Sequence, residues 1–240
     1  MCLIFVSQDP QSWKITNERL ENAKKGNPHG CGLAFWDKCR WKATLNPSTE
    51  QIQTIAKSAP VIVHYRFATH GEQSASNTQP FRLNEQNVFA HNGIVTGTWS
   101  GVKNTDSDSK RIARILAQTP KDCWGEILNM LADGHSSRFV LGTSGGKARF
   151  FGQGWGADTV SPTTMCSDGG KPWAQYRYDP KSYIYDDDIN TPQESNIPAD
   201  AVWVRAFCEV CDKKKQVTWS EELGLDICKD CNEFYSPTRR

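Results

Sequence analysis

The chain lacks a long apolar run: nothing in its 240 residues approaches the length of a membrane span, and its start carries no apolar signal segment. It also lacks an excess of either charge, since 28 Lys and Arg stand against 27 Asp and Glu, for a formal net charge of +1. Bulk charge therefore implies neither nucleic acid nor a membrane as partner. No internal repeat is visible. Nine cysteines are present, an odd number, and without a signal segment they argue against a disulfide framework and for a cytoplasmic protein. The length is that of one or two domains and suffices to bury a substantial core.

Hydrophobic patterning predicts strands over 3–7, 32–36, 40–45, 61–68 and 87–90, and helices over 9–25, 49–57, 108–118 and 124–132. A hairpin of 138–143 with 147–152 closes around Ser144-Gly145-Gly146. The first helix would turn Ile15 and Leu20 inward. Antiparallel strand runs separated by a helical pair fit an α+β fold of stacked sheets covered by helices, although periodicity alone does not separate it from other α+β folds. From about 186 to 200 the composition shifts to Asp, Asn, Pro, Ser and Glu, with the acidic run Asp186-Asp187-Asp188. That stretch reads as an exposed linker between a main block, 2–185, and a tail, 201–240. Just before it, Tyr176-Arg177-Tyr178 and Tyr183-Ile184-Tyr185 read as a peripheral strand pair or an aromatic contact surface.

Three segments carry chemistry in the main block. Cys2 follows Met1 directly; downstream come Val63-His64-Tyr65-Arg66-Phe67-Ala68-Thr69-His70-Gly71 and Ala90-His91-Asn92-Gly93. Removal of Met1 would make Cys2 an N-terminal thiol whose own α-amine serves as general base, so one residue supplies nucleophile and base. An attack on an amide needs donors aimed at the developing oxyanion, and a side-chain amide beside a glycine N–H supplies two, as Asn92 and Gly93 can. A planar guanidinium such as that of Arg66 matches a substrate carboxylate bidentately. Each feature has a plainer reading. A lone cysteine at position two is commonly a small packing residue. Asn92-Gly93 is also a strong signal for a hairpin turn between 88–90 and 94–95. Asp108 can be a helix cap or a first-turn acid, although Asp106 and Ser107 are also available for capping. His64 and His91, flanked by apolar residues, read as hydrogen-bonded structural histidines rather than acid-base groups.

With those residues in view, the chain resembles the class II glutamine amidotransferases, whose glutaminase domains begin with a processed Met-Cys and carry His-x-Arg-x-Ala-Thr-x-Gly and His-Asn-Gly motifs. Asn77-Thr78-Gln79-Pro80-Phe81, Ser107-Asp108-Ser109 and the small-residue stretch His29-Gly30-Cys31-Gly32-Leu33-Ala34-Phe35 extend the resemblance over about 2–160. It implies a four-layer α-β-β-α N-terminal-nucleophile hydrolase sandwich. It also implies Cys2 as nucleophile, with Asn92 and Gly93 as oxyanion hole. Arg66 would take the substrate α-carboxylate, Asp108 the α-ammonium, and Thr69 and His70 would line the pocket. Leu3 stands where many relatives have glycine, and Phe67 where some synthases have a lid-closing tryptophan. The implied substrate is glutamine or a γ-glutamyl compound, with no organic cofactor.

The tail carries Cys208-x-x-Cys211, sixteen residues, and Cys228-x-x-Cys231. This is four-cysteine zinc spacing, and it predicts a small zinc-ribbon-like module holding one structural zinc; four thiolates leave no open position for catalysis. Disulfides are the competing reading. Lys213-Lys214-Lys215 and Arg239-Arg240 are offset by Glu209, Asp212, Glu221, Glu222 and Asp226, so a nucleic-acid footprint there is weak. The length after about residue 160 leaves no room for a second catalytic domain. Three expectations follow: a glutaminase feeding ammonia to a separate synthase through the zinc tail, a stand-alone γ-glutamyl amide hydrolase, or an inactive zinc-dependent binder of nucleic acid or protein, which retention of Met1 would favour.

Overall fold

The first strand, β1 (Leu3–Ser7), has all five residues buried, and the period of two divides them between two cores. Leu3 and Phe5 belong to an apolar cluster with helix residues Leu20, Ala23, Ile52 and Ala56. Ile4 and Val6 belong to another, with Val88, Ala90 and Val140 of a second sheet. A strand covered on both faces reads as an unbroken apolar run, and this one does. The computed structural model describes residues 2–69, 71–96, 105–135, 137–158 and 164–168, together with the backbone of 204–207, 214–220 and 225–228.

After β1 the chain turns through a short 3-10 segment at Pro10–Ser12 and enters α1 (Asn17–Gly26), where the Thr16 side chain accepts the Arg19 N–H. The helix expected over 9–25 is thus shorter. Trp13 and Thr16 are both extended, and Trp13 and Ile15 reach the core from that extended stretch. Strands β2 (Cys31–Asp37) and β3 (Arg40–Leu45) form the expected hairpin. Helix α2 (Thr49–Ala56) opens on a full capping box between Ser48 and Gln51. Strand β4 (Val61–Tyr65) is wholly buried and ends three residues before the expected limit.

The second sheet begins with β5 (Phe81–Asn84) and β6 (Asn87–Asn92), continues after α3 (Asp108–Gln118) and α4 (Trp124–His135), and is completed by the paired β7 (Arg138–Gly142) and β8 (Ala148–Phe151). Two short strands, β9 (Gly156–Ala157) and β10 (Thr164–Cys166), return to the first sheet. Among the described residues the sheets run β3-β2-β4-β1-β10-β9 and β5-β6-β7-β8. α1 and α2 cover the outer face of the first, α3 and α4 that of the second, where Ile112, Leu116, Trp124 and Leu128 pack on Phe89, Phe139 and Leu141. The packing is therefore helices, sheet, sheet, helices. Gly32 explains one close approach between them: a Cβ there would sit 1.9 Å from the Gln79 carbonyl oxygen.

In the tail, β11 (Val204–Phe207), β12 (Lys214–Ser220) and β13 (Leu225–Cys228) form an antiparallel sheet. Cys228 is the last residue of β13, whereas Cys208, Cys211 and Cys231 lie outside the described residues, as do the linker over 186–200 and the tyrosine segments before it. No helix among the described residues is long and apolar enough to cross a membrane.

Candidate active site

Cys2 immediately precedes β1, and the register sets Leu3 opposite Tyr65 at the end of β4. That register carries Cys2 across from Arg66 and Phe67. The half-buried Cys2 Sγ accepts the Phe67 N–H at 3.3 Å and lies 3.5 Å from the Phe67 carbonyl oxygen, to which the thiol donates. Burial pushes the thiol above its ordinary 9.0; the Phe67 N–H, the positive chain terminus and the Arg66 guanidinium pull it back, and Asp108 pushes it up.

The segment holding Arg66 is pinned by backbone: its N–H donates to Gly30 at 2.8 Å and its carbonyl accepts from His29 at 3.1 Å. Arg66 itself is buried. His29 adds a side-chain tie, with Nδ1 accepting the Ala68 N–H at 2.9 Å and its ring tilted over Phe67. An accepting Nδ1 places the proton of the neutral ring on Nε2. Burial lowers the His29 pKa, and the charges of Arg66 and the chain terminus lower it further. His29 was not foreseen as a site residue; its only signal was its place in the small-residue stretch. Thr69 is exposed at the end of this segment, and His70 lies outside the described residues.

Asp108 occupies the first turn of α3, while Ser107 is the cap, its side chain accepting the Lys110 N–H. Capping is therefore not the task of Asp108. Its Oδ2 accepts the Val95 N–H at 2.8 Å and its Oδ1 the Ser109 N–H at 2.8 Å, which fixes the carboxylate and leaves lone pairs for a further donor. Asn77 holds the approach to α3: its amide donates to the carbonyls of Glu72 and Thr105, and its oxygen accepts from the Ser107 N–H.

Asn92 ends β6 on the face that Val88 and Ala90 turn toward the first sheet. Its Nδ2 is 2.9 Å from the Ser167 Oγ, which also accepts the Ile4 N–H at 2.9 Å. Asn92 is thereby tied to β1 two residues from Cys2. The hairpin expected across Asn92-Gly93 is not formed, because β6 pairs with β5 and β7 instead. Gly93 has φ +148, and a Cβ there would lie 2.4 Å from the Ser137 Oγ, so the position requires glycine. Ser167 had no sequence signal.

The two histidines of the motifs are buried. His91 Nδ1 meets the Ser109 Oγ at 2.9 Å, and its ring stacks on Phe139. His64 is buried with the His91 backbone as its hydrogen-bonding neighbour, though neither ring nitrogen makes a bond of full geometry. Burial, helped by the Arg66 charge, lowers its pKa to about 3, so it is neutral near pH 7 and takes no part in acid-base chemistry there.

The sequence matches the family described as glutamine amidotransferases class-II over residues 12–132, half of the chain. Among solved structures it is similar to the glutamine phosphoribosylpyrophosphate (PRPP) amidotransferase from B. subtilis complexed with ADP and GMP. The two share 18% identity and a TM-score of 0.46, over 70% of this chain and 42% of that one. The chain thus spans less than half the length of that structure. No curated protein matches it.

Proposed function

The chain belongs to the class II glutamine amidotransferases, and from that premise we propose that Cys2, freed by removal of Met1, attacks the side-chain amide of glutamine and releases glutamate and ammonia. The observation that carries this reading is the seat of the Cys2 sulfur on the segment that follows β4, where it accepts the Phe67 N–H at 3.3 Å, with Asn92 tied through Ser167 to Ile4, two residues away. In the reaction the Cys2 α-amine takes the thiol proton as sulfur bonds to the amide carbon, and Asn92 and Gly93 donate to the resulting oxyanion. The ammonium formed at the α-amine returns its proton to the leaving nitrogen as the C–N bond breaks, and water then cleaves the thioester. Arg66 grips the α-carboxylate, Asp108 the α-ammonium, and Thr69 and His70 line the pocket.

The ammonia passes to a separate synthase, and the tail serves as its docking module, with Cys208, Cys211, Cys228 and Cys231 around one zinc. The spacing of the cysteines and the short antiparallel sheet between them support this part. The decisive experiment is glutamate and ammonia release by protein of verified intact mass, with Cys2→Ala and Cys2→Ser alongside. Loss of Met1, activity in the parent and none in either variant is the expected result. Full activity in Cys2→Ala, or trapping of another cysteine by a glutamine-like electrophile, rejects it.

A further inference from the structure

Ser167 follows β10 and is fully buried against β1, its N–H donating to the Ile4 carbonyl at 3.1 Å. Its Oγ sits 2.9 Å from both the Ile4 nitrogen and the Asn92 Nδ2. Both contacts use the hydroxyl as acceptor, so its own proton has no role in them. At the same time the Asn92 Oδ1 is buried with no hydrogen-bond partner. An unmade hydrogen bond on a buried amide oxygen is costly, and the oxygen and nitrogen of an amide are interchangeable in shape. Exchanging them gives the hydroxyl proton and the amide oxygen each a partner and leaves the amide nitrogen as the group in want of an acceptor. Ser167 then accepts from Ile4 and donates to the Asn92 oxygen, and the Asn92 nitrogen moves to the position that now has no partner.

We infer that Ser167 is a positioning residue, which holds the Asn92 amide by its oxygen so that Nδ2–H is the atom presented to the oxyanion. The inference rests on the proposed glutamine hydrolysis. It gives that site a relay from Ile4 N–H through the Ser167 hydroxyl to the Asn92 carbonyl, with the donor already oriented when the thiolate attacks. Without the hydroxyl, Asn92 presents either end, and an oxygen facing the oxyanion repels it. Preorientation of such donors is where their catalytic effect arises.

The test uses the full chain with glutamine as substrate. Removing an oxyanion donor outright costs about a hundredfold or more in kcat, so Ser167→Ala, which only frees the donor, should lower kcat about tenfold with KM changed less than about twofold. Alkylation of Cys2 by iodoacetamide, a displacement that forms no oxyanion, should keep its parent rate. Because Ser167 acts through Asn92, the double variant Asn92→Ala/Ser167→Ala should be no slower than Asn92→Ala. Ser167→Cys, close in volume and a weak donor, should fall between parent and alanine, and it carries the test if the alanine variant does not fold. Unchanged kcat in Ser167→Ala or Ser167→Cys, equal losses in alkylation and hydrolysis, or additive losses in the double variant would each overturn the inference while leaving the hydrolase reading intact. An Asn92→Ala variant with parental kcat would reject the oxyanion assignment itself, and the inference with it.

Discussion

His64 makes the stability of the protein depend on pH in a way that can be worked through. It is fully buried between the two sheets, where Ile4 and Gly32 are its backbone neighbours. Its pKa falls from the ordinary 6.5 to about 3, through burial first and the Arg66 charge second. Below pH 6.5 the unfolded chain therefore binds a proton that the folded chain refuses. Stability rises with pH across this interval and is lost as pH falls from 6.5 toward 3. At ~1.4 kcal/mol per unit, the loss from His64 alone is ~2 kcal/mol at pH 5 and approaches ~5 kcal/mol at the bottom of the interval. The perturbation is His64→Gln, which does not titrate, and the assay is urea unfolding followed by tryptophan fluorescence between pH 8 and pH 5. His91 titrates in both proteins, so the difference reports His64 together with its repulsion by His91. The parent should lose ~2 kcal/mol more than the variant on going to pH 5. Parallel curves would mean that His64 accepts a proton inside the fold, and the reasoning about its burial would be wrong.

Binding and chemistry should separate cleanly by substitution. Arg66→Lys keeps the charge but loses the fork, so KM for glutamine should rise with little change in kcat; Asn92→Ala should lower kcat about a hundredfold or more at nearly constant KM, and steady-state kinetics showing the reverse split would exchange the two roles. In the tail, metal analysis should find one zinc in the full chain and none after truncation before Ala201. The truncated protein should keep glutaminase activity and lose its synthase partner in pull-downs; unchanged partner binding, or no zinc in the full chain, removes the docking role.

The parts of the candidate site legible in the sequence are those that fall in short motifs: Arg66 shares one with Ala68 and Thr69, and Asn92 is next to Gly93. Residues recruited across the fold left no such trace. Ser167 is 75 positions from Asn92 and 163 from Ile4, and a serine in that surrounding resembles any other. Strands behaved similarly. β1 and β4 are wholly buried and announce themselves, whereas β10 has three residues and owes its extended form to pairing with β1. β5 alternates buried and half-buried residues over only four positions, too short a run to read with assurance from sequence. α1 starts later than expected because Trp13 and Ile15, spaced by two, pack from an extended segment, which is the period of a strand and not of a helix.

The pairing of β10 with β1 also bears on the order of events during synthesis. Ile4 waits for Ser167, 163 positions later, and at about 5–20 residues per second that interval is roughly 10–30 s. Throughout it β1 lacks this neighbour and the relay to Asn92 is incomplete. If Met1 is trimmed as proposed, the same interval is available for trimming before the pocket closes. On the proposed reading, the thiol is then unmasked first and its surroundings assemble afterwards.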